Sequence, residues 1–262
     1  MPFTYRDGIR FYFEEYGEGT PVVFLHGFTL DHRMWWGQAE YFSQWYRVLL
    51  LDSRGHGESD SPETGYGRDD RVEDLRAFAD NMKIERFHVV GLSMGGSTSI
   101  GFALKYPERL LSMTLVSSGA AGYSAGKKVD KLDQLAREHG VQAAKEKWMQ
   151  WSLMWYGEGK EEIRRLMEQM IDDHEGGIWR DPMRGKYPRT VDLDNVQKIK
   201  APTEIIAGKL DKVWVPLAEA LHEKIEGSSL SMYDGIGHMV NLEAPIRFNE
   251  EVKAFLDGVN GS

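Results

Sequence analysis

Five short apolar runs punctuate the chain: Val22 to Leu25 (VVFL), Val48 to Leu51 (VLLL), Phe87 to Val90 (FHVV), Met113 to Val116 (MTLV) and Thr203 to Ala207 (TEIIA). Runs this short, apolar on both faces, predict parallel strands covered by helices on either side. The intervening stretches support this. Asp70 to Met82 sets Val72, Leu75, Phe78, Ala79 and Met82 on one helical face. An imperfectly alternating segment, Arg10 to Glu15 (RFYFEE), precedes the series. A strand at Ser229 to Tyr233 and a helix from about Ala244 to Leu256 close it. The pattern breaks once. Gly119 to Gly126 (GAAGYSAG) has the small residues of a linker, and residues 127–190 hold four of the eight tryptophans with no convincing strand. The expectation is therefore an α/β chain. A mostly parallel, doubly wound sheet, built from residues 1–121 and 191–262, is interrupted by a helical cap insertion at 122–190.

Composition narrows the chemistry. With no cysteine among 262 residues, disulfides, thiolate nucleophiles, Cys-ligated zinc and iron–sulfur clusters are excluded. The 32 Lys plus Arg against 41 Asp plus Glu give a net charge of −9, which disfavours nucleic acid and anionic membrane surfaces as partners. No basic n-region with a following apolar stretch opens the chain, and the mean hydropathy is −0.47. A soluble, cytoplasmic protein is expected.

A doubly wound sheet gathers its ligand site beyond the carboxyl ends of its strands. After FHVV comes Gly91-Leu92-Ser93-Met94-Gly95-Gly96 and then a small-residue helix, STSIGFALKY. This is the G-x-S-x-G pattern in a strand–turn–helix setting. A serine at the tip of so tight a turn sits in strained backbone, and side chains two residues to either side would collide with neighbouring elements. The helix that follows aims free N–H groups at an oxyanion. Gly122-Tyr123-Ser124-Ala125-Gly126 fits the same pattern, but it lies in the linker several residues past its strand and reads as a hinge.

A serine nucleophile needs a base, and the base an orienting carboxylate. The strand TEIIAG runs into Gly208-Lys209-Leu210-Asp211, and the last strand runs into Asp234-Gly235-Ile236-Gly237-His238. Ser93, Asp211 and His238 thus each follow a strand, in the order that such sheets use. Asp234 is a competing carboxylate in a turn. Near the start, Leu25-His26-Gly27-Phe28 offers the backbone N–H of Phe28 to face that of Met94 as an oxyanion hole, with His26 as a buttress.

HGF at 26–28, DSRGHGES at 52–59, GLSMGG at 91–96 and GHMVNLEAP at 237–245 together resemble the α/β-hydrolase superfamily over essentially the whole chain. The set is most similar to 3-oxoadipate enol-lactonase-like esterases and lactonases. That resemblance implies hydrolysis through an acyl-enzyme with no metal or other cofactor. It assigns Ser93 as nucleophile, His238 as base, Asp211 as orienter, and Phe28 and Met94 as oxyanion donors. Ser93 argues against dehalogenases and epoxide hydrolases, which carry aspartate there. Met239, where meta-cleavage C–C hydrolases usually show tryptophan, lowers that alternative. Cofactor-free haloperoxidases and perhydrolases share the motifs and stay open, as does a ligand-sensing protein with a slow triad.

Trp148, Trp151 and Trp155 recur at near-helical spacing. They fit the buried face of an insertion helix, with at least one turned toward an apolar acyl or aryl pocket. His222-Glu223 opens like a zinc helix but lacks the second histidine, so no metal is expected. The expected partner is a small-molecule ester or lactone.

Overall fold

Each apolar run becomes a strand of one eight-stranded sheet. The computed structural model describes residues 3–123, 128–150, 160–183, 186–187 and 191–261. Its strands are β1 (Phe3–Arg6), β2 (Ile9–Tyr16), β3 (Thr20–Leu25), β4 (Tyr46–Leu51), β5 (Phe87–Leu92), β6 (Leu110–Val116), β7 (Thr203–Gly208) and β8 (Ser229–Tyr233). Their order is β1-β2-β4-β3-β5-β6-β7-β8. The first two pairings are antiparallel and all the others parallel. β1 was not anticipated. It joins β2 through Asp7 and Gly8, both at positive φ (51° and 82°), as a two-residue hairpin turn requires.

The helices are α1 (Trp36–Phe42), α2 (Arg68–Asn81), α3 (Met94–Lys105), α4 (Lys128–His139), α5 (Val141–Met149), α6 (Glu161–Asp173), α7 (Gly177–Arg180), α8 (Val215–Lys224), α9 (Val240–Glu243) and α10 (Pro245–Asn260). The two-residue period of each strand splits the core between the sheet's faces. Val22, Phe24, Val48 and Leu50 pack with Trp35, Phe42 and Phe248 on one side. Val23, Leu25, Leu49 and Leu51 pack with Leu75 and Phe78 of α2 and Leu217 of α8 on the other. Helices α4 to α7 lie between β6 and β7, and Leu132, Trp148, Met167 and Met170 from this stretch join the first core. None of the described helices is long and apolar enough to cross a membrane.

The ends of that helical stretch are pinned together. Asp192 N–H donates to the Ala121 carbonyl at 2.9 Å, and Ala121 N–H returns a bond to Asp192 Oδ2 at 2.6 Å. Arg68 of α2 holds the other carboxylate oxygen at 3.0 Å.

Candidate active site

Ser93 stands between β5 and α3 at φ 54°, ψ −106°. A non-glycine residue there costs about 1–3 kcal/mol, so the surroundings must impose it. They do. Ser93 N–H donates to Val116 O at 3.0 Å, while its own carbonyl accepts from Ser97 and Gly119 N–H at 3.1 and 2.8 Å. The flanking glycines are steric necessities. A Cβ at Gly95 would overlap the Leu25 carbonyl oxygen of β3, and one at Gly91 would come within 2.6 Å of the Gly95 carbonyl carbon. Met94 opens α3, so its N–H lies in the first turn, where the helix itself supplies no acceptor.

Asp211 and His238 meet. His238 Nδ1–H donates to Asp211 Oδ2 at 2.6 Å, with the residues 0 % and 6 % exposed. Asp211 sits in the turn after β7, where Asp211 N–H closes onto Gly208 O at 3.0 Å and its carbonyl accepts from Trp214 and Val215 N–H. The competing Asp234 points to solvent and pairs with Lys209. One residue of this loop was missed from sequence. Glu243 of α9 accepts from Gly237 N–H at 3.0 Å and Met239 N–H at 3.2 Å, gripping the backbone on both sides of His238. Lys160, which precedes α6, pairs with the same carboxylate. The signal was an acidic residue five positions after the histidine.

The loop after β3 completes the carboxyl edge. A Cβ added at Gly27 would lie 3.8 Å from Ser93 Cβ, which puts this loop beside the serine. His26 buttresses it: Nδ1–H donates to Gly27 O at 2.8 Å, and Nε2 accepts from Ser53 N–H at 2.9 Å. The Phe28 ring packs edge-on against Trp148 and Trp179 at 5.6 and 5.4 Å, with His56 and His174 at 6.4 Å. Burial, with Lys145 adding to it, pulls His174 down to about 3, and burial holds His56 well below its ordinary value. Both rings are neutral at physiological pH.

Residues 20–245 match the alpha/beta hydrolase fold family. The chain belongs to that family. Among its alpha/beta hydrolase relatives are a candidate 2-succinyl-6-hydroxy-2,4-cyclohexadiene-1-carboxylate synthase of Bacillus subtilis and 3-oxoadipate enol-lactonase 2 of Acinetobacter baylyi. The first is 27 % identical over 98 % of each chain. The second is 28 % identical over 91 % of this chain and 89 % of the relative. The solved structure of Est816, described as an N-acyl homoserine lactone degrading enzyme, superposes with a TM-score of 0.83. It is 29 % identical, with 97 % of this chain and 100 % of that one covered.

Of the tryptophans singled out from spacing, Trp148 is buried and its Nε1–H donates to Thr29 Oγ1 at 2.8 Å. Trp151, Trp155 and the decoy Ser124 lie outside the described residues. A buried group of metal-ligand type, Asp31, His32 and Asp52, occurs in and near the DSRGHGES turn. Its oxygens are already taken. Asp52 accepts from His32 N–H, His32 Nδ1–H and Glu58 N–H, and Asp31 takes the Arg33 guanidinium. A cation would have to displace those donors, so the group acts as a hydrogen-bonded hub for the turn.

Proposed function

We propose that this chain is a serine hydrolase that cleaves a small carboxylic ester or lactone through an acyl-enzyme on Ser93. The observation that carries the reading is the strained Ser93 on the same carboxyl edge as the buried His238–Asp211 pair. Because Nδ1–H of His238 is committed to Asp211, the neutral ring presents the lone pair of Nε2, the atom a base must use. Ser93 Oγ attacks the carbonyl carbon and His238 accepts its proton. The N–H groups of Phe28 and Met94 hold the tetrahedral oxyanion. His238 then protonates the departing alkoxide and activates the water that releases the acid and restores Ser93.

A relative named as an enol-lactonase and a solved structure described as degrading an N-acyl homoserine lactone support an ester or lactone as the bond cleaved. The helical stretch between β6 and β7 is read as a cap over the site, with the apolar faces of its helices providing for an acyl or aryl group. A panel of p-nitrophenyl esters and lactones, with fluorophosphonate labelling alongside, tests the reading. The wild-type protein is expected to label and turn over, and Ser93→Ala to do neither. Full activity in Ser93→Ala, or labelling that moves to Ser124, would sink it. Labelling without turnover on any ester or lactone would favour a sensing role.

A further inference from the structure

The turn that carries Phe28 is held in an uncommon shape. Leu30 N–H closes it onto Gly27 O at 3.2 Å, which leaves Phe28 and Thr29 as its central residues. Thr29 occupies the third position at φ 62°, where glycine or asparagine ordinarily stands. A β-branched side chain at positive φ is a genuine outlier that must be held from outside. The hold is visible. Thr29 Oγ1 donates to the Phe28 carbonyl at 2.6 Å and accepts the Trp148 indole N–H at 2.8 Å. An indole N–H only donates and a threonine hydroxyl has one proton, so the direction is fixed: Trp148 to Thr29 to Phe28. Trp148 lies on α5, 119 residues further along the chain, and the same indole packs edge-on against the Phe28 ring.

We propose that Trp148 is a positioning residue for the oxyanion hole: through Thr29 it fixes the turn that aims the Phe28 N–H. The inference rests on the acyl-enzyme reading above. In a turn of this kind the N–H of the second residue does not close the turn, and its direction follows the peptide planes around it. The N–H itself belongs to the 27–28 peptide, and the next peptide, 28–29, contains the carbonyl that Thr29 grips. Without the grip, Thr29 relaxes toward negative φ, the peptide between residues 28 and 29 swings, and the resulting shift at Phe28 Cα tilts the adjoining 27–28 peptide, which carries the Phe28 N–H. The helical stretch between β6 and β7 therefore sets the turnover rate of the core and does more than enclose a substrate.

The test uses the full chain. Trp148→Phe keeps a ring against Phe28 and removes the donor together with part of the indole's buried bulk, so Thr29→Val, which leaves Trp148 in place, is its control. It should lower kcat about tenfold, a fraction of what losing an oxyanion donor costs, with KM within about twofold. The inhibition constant of a trifluoromethyl ketone, whose adduct carries an oxyanion, should rise by the same factor. Thr29→Val should do the same, Thr29→Ser should keep wild-type turnover, and the double variant should be no worse than the poorer single variant. Thermal unfolding of each variant separates a lost fold from a lost aim. Unchanged kcat in a folded Trp148→Phe protein, a rise in KM alone, or additive losses in the double variant would overturn the proposal. Ser93→Ala keeps the two readings apart. If it abolishes turnover while Trp148→Phe is silent, only the positioning role fails; if it leaves turnover intact, both fall.

Discussion

Asp211 and His238 lie 27 residues apart in different loops, yet the carboxylate accepts the Nδ1–H of the imidazole at 2.6 Å in a buried setting. If Asp211 is the orienter, Asp211→Asn should lower kcat on the order of 10³–10⁴-fold with little change in KM, because the neutral amide no longer selects the tautomer. Asp234→Asn should stay near wild type, since its carboxylate is in solvent against Lys209. Steady-state kinetics on a p-nitrophenyl ester decide between them, and an equal loss in both variants would undo the assignment.

Gly95→Ala should destabilise by about 3 kcal/mol, because the new Cβ meets a backbone oxygen of the central strand β3, which has no room to yield. Gly37→Ala makes the contrast. Nothing lies within 4 Å of a Cβ at that position in α1, and helix propensity alone predicts a gain of about 0.5–1 kcal/mol. Urea midpoints of the two variants should move in opposite directions.

What the sequence made legible was whatever has a local cause. The doubly apolar runs had to be buried strands, and each loop that follows one had to lie on a single edge, so the G-x-S-x-G motif and the order of the loops were enough to put forward Ser93, Asp211 and His238 as candidates. β1 was missed although Asp7-Gly8 is a hairpin signal, because FTYR has neither the length nor the apolarity of the other strands. Glu243 and the Trp148–Thr29 bond were not legible for another reason. Each depends on two segments that only the tertiary fold brings together, and an acid on a short helix or a tryptophan at helical spacing has many bland explanations.

Asp192 predicts how the helical stretch between β6 and β7 is tied down. Asp192→Ala would leave the Ala121 N–H without its partner and the Arg68 guanidinium with Asp69 alone, and breaking a buried pair of this kind costs up to about 3–5 kcal/mol. Limited proteolysis should then cut between residues 121 and 192 at protease levels that spare the wild-type chain. A digestion pattern identical to wild type would show that the clamp does not restrain this stretch.

Glu204 should make stability depend on pH. Its carboxyl lies in β7, 4 % exposed, and its only described hydrogen bond is a long one from Thr114 Oγ1 at 3.4 Å. Glu251 is close enough to act on it, and that carboxylate takes the Tyr233 hydroxyl at 2.7 Å. Burial, reinforced by the charge of Glu251, raises Glu204 from an ordinary value of 4.5 to about 8. Between those limits the folded chain keeps a proton that the unfolded chain has given up. Raising the pH through this window therefore drains stability, and the loss is complete above about 8. Glu204→Gln preserves the shape of the protonated acid and cannot ionise. Its urea midpoint should match wild type near pH 4.5 and exceed it at pH 8.5, by a stability margin on the order of 5 kcal/mol. Parallel pH profiles for the two proteins would show that Glu204 is ionised in the fold.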